Sequence, residues 1–239
     1  MKDKIIVALD VPTKEEALAI VEELGDAVGA YKIGMQLYNA VGPEILDEVA
    51  KRNGKVFLDL KFHDIPNTVA SAARTVANLG VFMFNVHASG GYTMMAEAVK
   101  ALKEESEQLG VEKPLLIAVT VLTSMSEEEM QKEVGVSRSI GEQVVALAKM
   151  AKEAGMDGVV ASPLEIEMIR EACGPDFLIV TPGIRPRDAA LGDQKRVKTP
   201  GEAVRDGADY LVIGRPITKA SDRMTAVKDI VSEIESLNM

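Results

Sequence analysis

Short runs of β-branched and aliphatic residues alternate with longer amphipathic stretches about eight times along this chain, and that rhythm leaves few folds open. Apolar runs at 5–10, 30–34, 56–61, 81–87, 115–121, 158–161, 177–181 and 210–213 read as strands. Most are apolar on both faces, the pattern of parallel strands covered on two sides. Helical segments fall between them. The first is capped by Pro12 and Thr13, with Glu15 and Glu16 in its opening turn. The others run over about 42–52, 66–80, 92–109, 139–154, 164–173 and 225–237, and Gly80 serves as a C-cap. A polar insert, 126–136, follows the fifth strand. At 239 residues the chain has the size of one barrel, although two small domains would also fit by length. An open doubly wound sheet has a similar rhythm, but no Gly-x-Gly-x-x-Gly follows the first strand, where a dinucleotide site needs it. No linker interrupts the series. The expected architecture is α/β, a single (β/α)8 TIM barrel forming one catalytic domain over residues 1–239.

Composition narrows the function. Aromatic residues are 4% and tryptophan is absent, so the core must be built from Val, Ile, Leu, Ala and Met. The formal net charge of -10 argues against nucleic-acid binding through a basic surface. An acidic protein that holds an anion must concentrate its positive charge locally. The lone cysteine, Cys173, sits at a helix end, cannot form an internal disulfide and reads as a neutral or buried thiol. The start of the chain lacks signal-peptide architecture, and no apolar run approaches the ~20 residues of a membrane span. A soluble, cytoplasmic protein is expected.

In a barrel, chemistry is assembled at the carboxyl ends of the strands. Strand one ends in Asp10, and strand two carries Lys32. Strand three delivers Asp59 and Lys61, which at a spacing of two share one side of a regular strand, and Asp64 follows in the loop. Solvated loop-end charges or a structural ion-pair cluster are the bland alternatives. Two lysines converging with two or three aspartates on one mouth instead suggest a protonated, fixed ammonium able to donate a proton or stabilise a carbanion. His63 and His87 match no metal motif and read as structural, so no metal is expected. At the other side, Gly214 lets backbone approach a ligand, and Arg215 opens a short helix whose amides favour an anion. Strand seven runs into Thr181, Pro182, Gly183, Ile184 and Arg185, then a segment too long for an ordinary connection. Loops after strands seven and eight are this fold's common phosphate site, and Arg185 and Arg215 are the candidate grips unless that loop is merely solvated. A sugar or nucleotide monophosphate spans such a mouth.

The segments Ala8-Leu9-Asp10, Lys32-Ile33-Gly34, Asp59-Leu60-Lys61-Phe62-His63-Asp64-Ile65-Pro66-Asn67-Thr68, Asn85-Val86-His87-Ala88, residues 119–124, residues 181–185, Asp193-Gln194 and residues 212–215 carry a resemblance. The chain is similar over essentially its whole length to the bacterial orotidine 5′-phosphate decarboxylase family. The block from Asp59 to Thr68 is highly specific; the Gly-Arg end is shared with other phosphate-binding barrels. The resemblance implies decarboxylation of orotidine 5′-monophosphate (OMP) to UMP without a cofactor. It further implies Lys61 as proton donor to C6, Asp59 beside the scissile carboxylate, and Lys32 between carboxylates and ribose. Asp64 would complete the array from a neighbouring subunit, making a homodimer with shared sites. Asp10 and Thr68 would meet ribose hydroxyls, and Thr123 or Ser126 the pyrimidine. Pro182, Arg185, Gln194, Gly214 and Arg215 would surround the phosphate. Metal-dependent sugar-phosphate lyases of the same superfamily share Asp59-x-Lys61-x-x-Asp64, but carry a metal-binding carboxylate where Lys32 stands. A catalytically silent phospho-ligand barrel is the third alternative.

Overall fold

The computed structural model describes residues 1–186 and 196–237. Eight parallel strands close on one another in chain order: β1 (Ile5–Ala8), β2 (Ala30–Gly34), β3 (Val56–Phe62), β4 (Met83–His87), β5 (Leu115–Val119), β6 (Gly158–Val160), β7 (Leu178–Thr181) and β8 (Tyr210–Ile213). The closing pair is β8 against β1, with Ile6 opposite Val212. Closure removes every free edge, so each strand can be apolar on both faces.

Alternation with period two sorts the side chains into two cores. Ile6, Ala8, Ala30, Phe57, Met83, Ile117, Val180 and Val212 fill the barrel interior. The residues between them, among them Val7, Tyr31, Ile33, Leu58, Phe84, Val86, Ala118, Val159, Ile179 and Leu211, pack beneath the helices. The interior series then continues toward the carboxyl ends with Lys32 two residues after Ala30, Asp59 two after Phe57, and Asn85 two after Met83. The apolar plug thus carries a polar layer on top.

The outer ring comprises α1 (Lys14–Leu24), α2 (Met35–Val41), α3 (Glu44–Ala50), α4 (Pro66–Ala77), α5 (Tyr92–Leu109), α6 (Glu127–Lys132), α7 (Ile140–Glu153), α8 (Ile166–Cys173), α9 (Pro200–Arg205), α10 (Arg215–Thr218) and α11 (Arg223–Leu237). Thr13 caps α1 by accepting from the Glu16 amide. The eight-strand alternation and the barrel expected from the sequence are found. Three short helices escape a periodicity reading, α2, α6 and α9, because six or seven residues hold too few apolar repeats. Local chemistry accounts for two of them: Ser126 with Glu129, and Thr199 with Glu202, form capping boxes. Gly42, at φ +88, separates α2 from α3. Strand β1 stops at Ala8, so Asp10 stands in the following loop rather than at the strand end. No described helix is long and apolar enough to cross a membrane.

Candidate active site

Lys32 and Asp59 are each only 8% exposed, in the polar layer above the barrel plug. A buried ammonium or carboxylate is costly unless paired, and here each pairs more than once. The Lys32 Nζ lies 2.9 Å from Asp10 Oδ1 and 3.3 Å from Asp59 Oδ2. The Lys61 Nζ donates to Asp59 Oδ1 at 2.6 Å. A continuous chain of alternating charge, Asp10–Lys32–Asp59–Lys61, therefore crosses the mouth. Burial works against the Lys32 charge, but Asp59 and Asp10 outweigh it and hold its pKa above the ordinary lysine value. Burial likewise opposes the Asp59 charge, yet Lys32, Lys61 and the Asn85 amide hold that carboxyl below the ordinary value. Gly34 keeps room for the pair, since a Cβ there would lie 3.0 Å from Lys32 Nζ.

Lys61 reaches Asp59 through an irregular strand, not the regular alternation expected. The β3–β4 register passes from Leu58 opposite Phe84 to Phe62 opposite Val86, and Lys61 takes φ +55. A left-handed conformation costs a side-chain-bearing residue about 1–2 kcal/mol. Such strain gathers at functional sites. Asn85, buried on β4, joins the site although the sequence motifs give it no role; it accepts from the Lys61 amide at 2.8 Å and donates to Asp59 Oδ1 at 2.7 Å. Its signal was parity: it lies on the inward face, one layer above Met83.

Within one chain Asp64 stands outside this array. It lies beyond β3, exposed, and its carboxylate accepts from the Ile65 amide at 2.7 Å. Among the described residues it makes no ion pair, so within one chain Asp10 occupies the end of the array. Thr68 is also exposed, in the first turn of α4. The rings of His63 and His87 lie 5.5 Å apart, tilted by 41°, and burial, with His63 and Lys61 nearby, lowers the His87 pKa.

Two cavities that share Lys32, Pro182 and Val212 in their walls open at this end. One, of about 560 Å³, is lined by Asp10, Lys32, Pro182, Gly183, Arg185, Gly214 and Arg215 among others. Arg185 is buried, and the Arg215 side chain is exposed at the start of α10. The other, of about 180 Å³, is lined by Lys32, Asp59 and Lys61 together with Phe57, Val119, Val121, Thr123, Val160 and Val212. Thr123 lines it. Ser126 does not, because its hydroxyl is engaged with Glu129 in the cap of α6. Gln194 and Asp193 lie outside the described residues. Among those described, no cluster of three His, Cys, Asp or Glu side chains is disposed to hold a metal.

A basic end beside a small apolar chamber, joined by an ammonium–carboxylate chain at the carboxyl ends of the strands, defines a (β/α)8-barrel enzyme acting on an anionic substrate. The comparisons with known proteins carry this further. The chain belongs to the orotidine 5′-phosphate decarboxylase / HUMPS family, whose model matches residues 3–230. It is 54% identical over 235 residues to orotidine 5′-phosphate decarboxylase of Syntrophomonas wolfei, covering 98% of both chains. It is 55% identical over 234 residues to that of Moorella thermoacetica, covering 98% of this chain and 93% of the relative. The crystal structure of orotidine 5′-phosphate decarboxylase from Lactobacillus acidophilus superposes with a TM-score of 0.85 at 42% identity, over 96% of this chain and 98% of the other.

Proposed function

We propose that this protein decarboxylates OMP to UMP in pyrimidine biosynthesis, with Lys61 as the group that stabilises and protonates C6. The observation that carries the reading is the Asp10–Lys32–Asp59–Lys61 chain, at 2.6 to 3.3 Å, set between the basic lobe and the apolar chamber. The phosphate takes the lobe of Arg185, Gly214 and Arg215, with Pro182 beside it. The pyrimidine enters the chamber past Thr123, and its carboxylate lies against Asp59. When the C6–carboxyl bond breaks, its electron pair stays on C6 in the ring plane, where the ring offers no ordinary sink. The ammonium of Lys61, already oriented by Asp59, stabilises that charge and then gives C6 its proton. The neutral amine regains a proton from solvent after UMP leaves. Phosphate binding remote from C6 supplies energy to orient the reacting end.

Stripped of metal with EDTA, the protein is expected to convert OMP to UMP, followed by loss of the orotate-type ultraviolet absorbance. A flat trace rejects the assignment. Lys61→Ala is expected to lose turnover by several orders of magnitude while remaining folded; near-normal turnover overturns the role of Lys61.

The metal-dependent lyase reading is disfavoured by Lys32, whose ammonium stands 3.3 Å from Asp59 where a divalent cation would be repelled. Activity that requires added Mg2+ would restore it. A silent binding barrel has no use for a buried charge array, and tight UMP binding without turnover would favour it. The proposal includes a homodimer in which Asp64 and Thr68 reach the neighbouring subunit's substrate. Its support is that both are exposed at the mouth beside Ile65, an isoleucine left 66% exposed. A cytoplasmic setting without nucleic-acid partners completes the reading, supported by the net charge of -10 and the free Cys173 thiol.

A further inference from the structure

We infer that Asn85 is a positioning residue for this reaction: it holds the Asp59 carboxylate and the Lys61 backbone in one arrangement across a break in the β3–β4 ladder. The inference rests on the decarboxylase reading above and adds a residue to which no role has been given.

The break is plain in the register. From Leu58 opposite Phe84 to Phe62 opposite Val86, β3 advances four residues while β4 advances two. Two surplus residues must be accommodated on β3, and ladder bonds are lost there. Lys61 takes up the surplus in a left-handed conformation that a side-chain-bearing residue does not adopt unaided. Its amide would be left without a strand partner in the interior, a costly orphan. The Asn85 carbonyl oxygen fills that vacancy at 2.8 Å. Its NH2 group donates at 2.7 Å to Asp59 Oδ1, the oxygen that also receives Lys61 Nζ at 2.6 Å. One side chain, 1% exposed, therefore fixes both the carboxylate that orients the ammonium and the backbone that carries it.

The choice of side chain has a chemical reason. A primary amide offers an acceptor and a donor at fixed separation and carries no charge. An aspartate could accept from the Lys61 amide but would set a second carboxylate against Asp59. A hydrophobe would satisfy neither group. Asn85 lines neither cavity, so it acts through Asp59 and Lys61 rather than on the substrate. Without it, only Lys32 and Lys61 among the described residues hold the carboxylate, which loses its one fixed neutral donor, and the ammonium of Lys61 shifts with it.

Asp59 is faced by Lys32 from β2 and Lys61 from its own strand, with Asp10 beyond Lys32. His87, the last residue of β4, feels the Asp59 charge, and His63, just past β3, lies against His87. Removing Asn85 takes from the ionised carboxylate one hydrogen-bond donor while those charges stay in place, so its titration must move upward in pH.

The test compares Asn85→Ala, Asn85→Ser and Asn85→Asp with the parent, measuring thermal midpoint and kcat and KM for OMP across pH. Folded Ala and Ser variants are expected to lose kcat by about tenfold or more while KM changes by less than about threefold. The acid limb of kcat should shift to higher pH. Asn85→Asp should be the most impaired at neutral pH and recover toward the parent on acidification, as its protonated form again donates to Asp59. Folded variants with parental kcat and an unmoved pH profile overturn the inference, as does failure of all three to fold, which would assign Asn85 to stability alone. A parent protein that leaves OMP unchanged sinks the decarboxylase reading itself, and the inference with it.

Discussion

At Asp59 two ammonium groups meet one carboxylate, and each charge is tolerable inside the barrel only because the others are present. That mutual dependence has a pH signature. Asp59 titrates below its ordinary 3.8 in the folded state, so its contribution to stability is complete above that value and lost as pH falls through the depressed one. Lys32 is held above its ordinary 10.5, so its contribution is complete below that value and lost only in stronger base. The array should therefore stabilise the fold across the whole interval between. The difference in urea midpoint between the parent and Asp59→Asn is expected to be large and level from about pH 5 to 9 and to shrink below pH 4. A difference that stays constant into acid would contradict the pairing. The charged members of this array could be read from the sequence as Asp10, Lys32, Asp59 and Lys61. Asn85 could not, because an asparagine in a strand has many structural uses, and only its partners on β3 reveal this one.

Among the elements, the loops that shape the mouth are tied together by a second buried ion pair. Arg196 donates to Glu165 Oε1 at 2.6 Å, and its remaining nitrogens reach the carbonyls of Leu122 and Thr123 at 3.2 and 3.5 Å. One side chain thus fastens the segment entering α9 to both the start of α8 and the loop that presents Thr123 to the chamber. Burial raises the Glu165 pKa even though Arg196 opposes the shift, a sign that the carboxylate depends on its cation. Arg196→Met is expected to cost about 3–5 kcal/mol in urea unfolding, because a buried charge loses its partner. The double change with Glu165→Leu should cost less than that single change. Strict additivity of the two would show that no such coupling exists. Helices α2, α6 and α9 also belong to this scale: the pairs Ser126/Glu129 and Thr199/Glu202 could be seen in the sequence as capping signals, but short helices leave no periodic trace to which such signals attach.

For the molecule as a whole, closure of eight strands brings residues 10, 32, 59 and 61 into one layer, and the neighbouring loops set the basic lobe beside them. The exposed Asp64 and Thr68 carry the remaining prediction. Inactive Asp64→Ala and Lys61→Ala proteins, mixed and allowed to exchange subunits, should regain part of the parental activity. In one class of mixed site both changes fall together, and the other class is intact. Mixtures that form by mass measurement yet remain inactive would dispose of shared sites.

The alternation of apolar runs with amphipathic segments, and the charged residues at the ends of those runs, were determined by the sequence alone, because both follow from side-chain periodicity and from the cost of leaving apolar surface in water. The register shift in β3, the left-handed Lys61 and the amide of Asn85 that fills the gap were decided only by tertiary structure. Each depends on which strand lies alongside and at what offset, and a residue carries no local mark of a neighbour more than twenty positions away.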